Sequence, residues 1–351
     1  MPIDWVIIGG FVCGALAGGA SRYGRLCTMS AIEDALAGRD YRGAKAWGLA
    51  AGVAVALTQI LSSLGWVDLE GSVYSGSTVH ILGALLGGLL FGIGMTLVGT
   101  CAFGLLVRSG SGDLRAAMAA AAVGVVAMSA TAGAVARLRQ PLLGFGVIDL
   151  QSWTMPSIGD LSSGSWRAVA AAMVFGACAA LALGALLDER MRRRPRLLLA
   201  AVGMGTAVAL GWVVTSSAVA NLALDRPQSL SFVAPVGRAL LQFMMEPFRD
   251  LGFGVATALG VVVASTAVAL WRRELRWEAF DDPVEMRRHL VGAAFMGLGG
   301  VLAQGCTIGQ GMSALSTLAL SAPLFIVAVL AGAKIGLVHL IEGRSLWRLG
   351  R

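Results

Sequence analysis

Charge is scarce in this chain. Asp, Glu, Lys and Arg together make up 13% of its 351 residues, about half the share of a soluble domain. Hydrophobic residues make up 57% and the mean hydropathy is +0.77. So little polar surface cannot coat a globule in water, and the solvent for most of the chain is lipid. Paired cysteines are missing too: the thiols at 13, 27, 101, 178 and 306 stand far apart and form no CxxC. That argues against a disulfide framework, a dithiol redox motif and a zinc site, and no metal or other cofactor is expected. No basic stretch is interleaved with aromatics, so the net charge of +7 does not mark a nucleic-acid binder. The opening run "MPIDWVIIGGFVCGALAGGA" carries Asp4 and no basic residue before its apolar part. It is unlike a cleavable signal peptide and predicts a first spanning helix.

What is abundant is apolar length. About 20 apolar residues cross the hydrocarbon as a helix, and nine stretches are predicted spans: 5–21, 43–64, 79–98, 113–137, 166–187, 197–220, 250–271, 289–304 and 322–341. Four more, 25–37, 101–110, 231–246 and 306–318, are too short. Irregular backbone at membrane depth survives only where protein or a water-filled cavity satisfies it, so these read as re-entrant half-helices. The predicted class is an all-α polytopic membrane protein with about nine transmembrane helices plus four short re-entrant ones. Alternating the loops between two faces gathers most arginines on one face, which that excess marks as cytoplasmic. The other face collects only Arg137, Arg139, Arg167, Arg226, Arg238 and Arg249. The N-terminus then lies outside and the C-terminus inside. The densest basic loop, "DERMRRRPR" (188–196), is the natural seam between halves 1–190 and 191–351 of one membrane domain.

The two halves resemble each other. Aligning "GALLGGLLFGIGMTLVGTCAFG" (83–104) with "LVGAAFMGLGGVLAQGCTIG" (290–309) on Cys101 and Cys306 superposes Gly87 on Gly292, Gly92 on Gly297, Gly94 on Gly299 and Gly104 on Gly309. A second match sets Gly24-Arg25 and Glu33 against Gly237-Arg238 and Glu246, with Leu240 in the place of Cys27. The span before Cys101 ends inside and the span before Cys306 ends outside, so the halves are predicted to insert in opposite senses, as an inverted repeat.

Cys13 and Cys178 sit mid-span among small residues and read as buried hydrophobes. Cys27, Cys101 and Cys306 each open a short segment at a predicted helix break, where free N–H groups favour an anion. Gly99, Thr100, Gly104, Gly305, Thr307, Gly309 and Gln310 flank them as candidate pore residues. Arg25 with Glu33 and Arg238 with Glu246 are expected to brace the half-helices. Arg108 either draws an anion to the inner exit or anchors the cytoplasmic interface. Lys334, inside the last span, snorkels or is paired. His80, His289 and His339 read as interfacial, and 141–165 as an external interfacial segment.

The segments "GRLCTMSAIEDAL" (24–36), "GIGMTLVGTCAFGLLVRSGSGDLRA" (92–116) and "GLGGVLAQGCTIGQGMSALSTLAL" (297–320) resemble the YeeE/YedE family of sulphur-compound transporters, over nearly the whole chain. The resemblance implies an inverted repeat of nine spanning and four short helices, with a pore marked by Cys306, Cys27 and Cys101. It implies import of thiosulfate or a related small sulphur anion across a bacterial inner membrane, and a small cytoplasmic partner of the TusA sulphur-carrier type. Thiols and backbone N–H groups can hold a soft dianion loosely enough to release it. "LLVRSGSGDLRA", with Arg108, has no match in the second half. Two readings from other classes stay open: a membrane sulphurtransferase carrying sulphur as cysteine persulfide, and a scaffold that docks a sulphur carrier. No adjacent histidine base supports the first.

Overall fold

The computed structural model describes residues 2–69, 71–72, 74, 78–133, 135–137, 147–149, 176, 179–185, 187–220, 224–245 and 251–341. The first half runs α1 (Pro2–Gly24), α2 (Thr28–Leu36), α3 (Arg42–Ser63), β1 (Thr78–His80), α4 (Ile81–Val98), α5 (Ala102–Ser109), α6 (Leu114–Ala132) and β2 (Val147–Asp149). After a helical turn at Glu189–Arg192 come α7 (Pro195–Ala220), α8 (Val233–Met245), α9 (Phe253–Trp271), α10 (Pro283–Leu302), a π-helical segment (Gly309–Ala314) and α11 (Ser321–Ile341). The two strands pair antiparallel with Thr78 opposite Asp149. Among the described residues the other named elements are helical.

Among the described residues seven helical stretches are long and apolar enough to cross a membrane. They start in α1, α3, α4, α6, α7, α9 and α11. The span expected at 166–187 lies mostly outside the described residues, as do Cys178, Glu246 and all of 141–165 except β2. The span expected at 289–304 forms the second part of α10. That helix opens with Glu285, Arg287 and Arg288, so only its later turns are lipid-compatible. Three predicted half-helices coincide with α2, α5 and α8. The fourth, 306–318, is not an α-helix. Ser313 N–H bonds to Ile308 O (2.9 Å), the wider π spacing, and the Gly309-Gln310-Gly311 run tolerates it.

Glycine sets how these helices meet. Lipid supplies no hydrophobic drive between them, so close backbone approach and van der Waals contact hold them together. A Cβ built on Gly299 would fall 2.5 Å from Gly87 O, and one on Gly87 2.6 Å from Gly299 O. Further along, a Cβ on Gly292 would fall 2.7 Å from Gly94 O. Rising numbers on α4 meet falling numbers on α10, so the two helices cross antiparallel with their backbones touching. In the same way α1 packs on α9 through Gly10, Gly14 and Gly260, α7 on α3 through Gly205, α4 on α11 through Gly92 and Gly332, and α10 on α6 through Gly297.

Ion pairs identify one basic end of the bundle. Arg22 and Arg25 both reach Glu274, Lys45 reaches Asp188, and Arg115 reaches Asp113, Glu278 and Glu285. The α9–α10 connection crosses this end as a strap. Arg276 N–H donates to Ser111 O (3.1 Å), Glu278 N–H to Gly112 O (3.1 Å) and Leu114 N–H to Glu278 O (2.8 Å). Gly112 has φ +93, and its backbone faces Arg276 O, so a side chain there has neither the conformation nor the room.

Candidate functional site

Three helix breaks bring the sulphurs of Cys27, Cys101 and Cys306 into one interior region. Helix α4 closes on Gly99 in the left-handed conformation (φ +82), whose N–H donates to Met95 O (2.9 Å). Such a C-terminal glycine turns the chain sharply. Thr100 and Cys101 follow, and Cys101 becomes the N-cap of α5, its Sγ accepting from Gly104 N–H at 3.4 Å. Cys306 repeats the arrangement: its Sγ accepts from Gly309 N–H, also at 3.4 Å. Both thiols are buried, at 1% and 0% exposure. Each therefore sits on otherwise unpaired N–H groups with no charged side chain bonded to it, a setting that suits a thiol or a soft anion.

Cys27 is different. It is the N-cap residue of α2 but its side chain caps nothing. Instead its Sγ lies 3.8 Å from Thr100 Oγ1, while Thr28 Oγ1 lies 3.8 Å from Cys101 Sγ. The residues after one cysteine thus touch the residues around the other. Cys27, Cys306 and the Thr307 hydroxyl all stand close enough to act on the Cys101 thiol. Thr307 is 3% exposed and its Oγ1 has no nitrogen or oxygen partner, so its hydroxyl is left to the sulphurs beside it. Among the described residues no three His, Cys, Asp or Glu side chains approach closely enough to hold a metal ion.

The other flanking residues divide into room-makers and braces. Gly104 packs against the Thr100 hydroxyl with no space for a Cβ. Gly305 N–H bonds Gly300 O (2.8 Å), and the preceding Gln304 takes φ +59 to make the turn. Gln310 has its amide committed: Nε2 donates to Ala303 O (2.6 Å), and Oε1 accepts from Ser321 Oγ (3.2 Å). It holds the π segment against the end of α10.

Cys27 also forms part of the wall of a recess of about 580 Å³ at the basic end. Arg25, Arg42, Arg193, Arg194 and Arg196 line it, against Asp34 and Asp40. The Arg42 side-chain hydrogen bond holds the Asp40 carboxyl down at about 2, so that pair is fully ionised at neutral pH. The balance is positive, and such a mouth concentrates anions. Arg108 lines a smaller recess of about 160 Å³ with Thr100, Arg115, Arg288 and His289, so one wall of that recess backs onto the Cys27 contact.

Of the two expected braces, Arg25–Glu33 is placed otherwise, and Arg238–Glu246 falls partly outside the described residues. Arg25, with φ +56 at the end of α1, pairs with Glu274 and not with Glu33, which is exposed on α2. Arg238 is exposed on α8. Gly237 lies inside α8, whereas Gly24 ends α1, so the Gly-Arg match spans two different local structures. Phe232 stands just before α8. Its ring packs on Phe103 with centroids 4.9 Å apart. Cys13 is buried in α1, and Lys334 is on the exposed face of α11, free to snorkel. Sequence reasoning missed Thr28, Trp47 and Tyr74. Trp47 Nε1–H donates to Thr28 Oγ1 (3.0 Å), and the Tyr74 hydroxyl faces Gly309. Only Thr28, adjacent to Cys27, left a trace in the sequence.

A multi-pass helical bundle whose irregular segments meet in an uncharged, thiol-bearing interior and open onto an arginine-lined mouth is by class a membrane transport protein. The family model described as sulphur transport matches residues 23–335, and the chain belongs to that family. The thiosulfate transporter TsuA of Escherichia coli K12 is 25% identical over 325 residues, covering 88% of this chain and 87% of its own. The thiosulfate transporter TsuA of Spirochaeta thermophila is 25% identical over 339 residues, covering 92% and 96%.

Proposed function

We propose that this protein imports thiosulfate, or a related small sulphur-containing anion, across a bacterial inner membrane, past Cys306, Cys101 and Cys27. The observation that carries this reading is the shared build of Cys101 and Cys306. Both are thiols on the free N–H groups of a chain break, with Cys27 touching Thr100 beside the first of them and opening onto a basic mouth. Weak S–H and N–H donors spread along a path bind a dianion without trapping it. In this reading the N-terminus is periplasmic, the C-terminus is cytoplasmic, and Cys306 is met first.

The same reading takes residues 1–190 and 191–351 as oppositely inserted halves. Reciprocal glycine contacts support it. Aligned on the two cysteines, Gly87 corresponds to Gly292 and Gly94 to Gly299. Exchanging the halves turns the contact Gly87–Gly299 into Gly292–Gly94, which is the other contact at that crossing. The packing of α1 on α9 likewise corresponds to that of α7 on α3. A small sulphur carrier of the TusA type is read as the acceptor at the arginine-rich mouth, from the family resemblance and the mouth's charge.

The test is uptake of labelled thiosulfate by cells lacking other sulphur importers. Expression of this chain should confer uptake; accumulation no greater than in cells carrying an empty vector would refute the proposal. Serine substitution separates permeation from covalent relay. Hydrogen-bonding passage predicts graded loss at Cys101 or Cys306, whereas persulfide transfer predicts abolition at every carrier cysteine.

A further inference from the structure

Trp47 lies in α3, away from every helix break, yet it touches both thiol-bearing segments. Its indole N–H donates to Thr28 Oγ1 at 3.0 Å, and Thr28 Oγ1 in turn lies 3.8 Å from Cys101 Sγ. The far edge of the same ring covers Gly311 in the π segment that follows Cys306, where a built Cβ would come within 3.0 Å of Cη2. One side chain therefore spans from the Thr28–Cys101 contact to the Cys306 segment.

An indole N–H can only donate, and a hydroxyl has one hydrogen and two lone pairs. Trp47 occupies one lone pair of Thr28, and the remaining lone pair and hydrogen let the Thr28–Cys101 contact run in either direction; with the hydroxyl as donor, its hydrogen points at the Cys101 sulphur. That sulphur already accepts from Gly104 N–H at 3.4 Å. In that arrangement Sγ accepts on its protein side, and its one S–H hydrogen is left for the Thr307 hydroxyl, which stands close to it, or for the passage. Chains of this kind polarise each member in the same sense.

We propose that Trp47 is a positioning residue which, through the Thr28 hydroxyl, holds the Cys101 thiol as a hydrogen-bond donor toward the passing anion and so sets the passage's preference for a soft anionic acceptor. The proposal rests on the transport reading above. It adds a residue that never touches the anion and a polarity that a bare thiol lacks.

The test is a double-mutant cycle with Trp47→Phe, which keeps a ring on Gly311 and removes the N–H, and Thr28→Val, which removes the hydroxyl at constant shape. In reconstituted vesicles each single variant should raise the KM for thiosulfate about three- to tenfold, the scale of one hydrogen bond. Thr28→Ser should restore wild-type behaviour. In the Thr28→Val background Trp47→Phe should add nothing, because its route to Cys101 is gone. Equal losses from Trp47→Phe in both backgrounds, or no loss at all, overturn the proposal. A second readout does not depend on transport. The S–H stretching band of Cys101, isolated by difference against Cys101→Ser, should shift alike in Trp47→Phe and Thr28→Val. A band unmoved by either refutes the relay even if thiosulfate is carried. A protein that shows the shift but moves no thiosulfate leaves the relay standing and removes the substrate assignment instead.

Discussion

Replacing Gly299 by alanine tests how the bundle brings its chain breaks together. The added Cβ would stand 2.5 Å from Gly87 O and 2.7 Å from Phe91 N. Both are backbone atoms of α4, so no rotamer change relieves the contact, and α4 and α10 must separate by most of an ångström to reach ordinary contact distance. Overpacking of this kind costs about 1–3 kcal/mol. The expense falls where it matters, because Cys101 follows α4 and Cys306 follows α10. Thermal unfolding of the purified protein in detergent reads the loss of stability, and thiosulfate uptake at matched protein levels reads the displacement of the thiols. Gly87→Ala should act alike, with a built contact of 2.6 Å to Gly299 O. The double variant should cost less than the sum of the singles, since one separation accommodates both methyl groups. A Gly299→Ala protein that melts and transports like the wild type would refute this account of the crossing.

Further outcomes follow from the site and the strap. Gly104→Ala should cut uptake at least tenfold by displacing Thr100, and adding Thr100→Ala should return it to the level of Thr100→Ala alone; uptake assays on the three variants decide. Cys13→Ala should leave uptake within about twofold of wild type, since Cys13 is buried in α1 and bonds none of the other thiols, while Cys101→Ser and Cys306→Ser reduce it. Glu274 should make stability fall in acid. Its burial favours the neutral carboxyl, but the hydrogen bond from Arg25 and the charges of Arg22 and Arg25 outweigh this, and its titration lies below the ordinary carboxylate range. The stabilisation is therefore complete above the unfolded carboxyl value of about 4.3 and disappears as pH falls through the lower folded value. Glu274→Gln should cost at most about 1 kcal/mol, as for a solvent-screened pair at the surface, and should flatten that acid step in melting curves.

Much of this organisation was legible in the chain, for identifiable reasons. The breaks at 25–37, 101–110 and 231–246 showed because short polar or glycine-bearing segments interrupt long apolar runs, and apolar length is the strongest constraint lipid imposes. Cys101 and Cys306 stood out because each has a glycine three residues on, and that glycine's N–H is the one that reaches the sulphur. What escaped depends on partners distant in sequence. The π segment owes its form to the bond from Gln310 to Ala303 as well as to its own residues. Arg25 finds Glu274, 249 positions away, where local spacing suggested Glu33. Trp47 bonds Thr28 across two helices, and nothing around a lone tryptophan in "AKAWGLA" announces that. The Gly-Arg match at 24 and 237 misled because glycine, at 48 of 351 residues, makes short coincidences common.

One continuous route for a soft anion, passing the buried sulphurs of both halves, is the claim on which the rest depends. A structure of the protein with selenosulfate bound, the selenium located by its anomalous signal, addresses it directly. The account predicts selenium between the Cys101 and Cys306 thiols, within reach of the Gly104 and Gly309 N–H groups or of the Thr307 hydroxyl. Selenium on the lipid-facing surface, or in a cavity that neither sulphur lines, would contradict it.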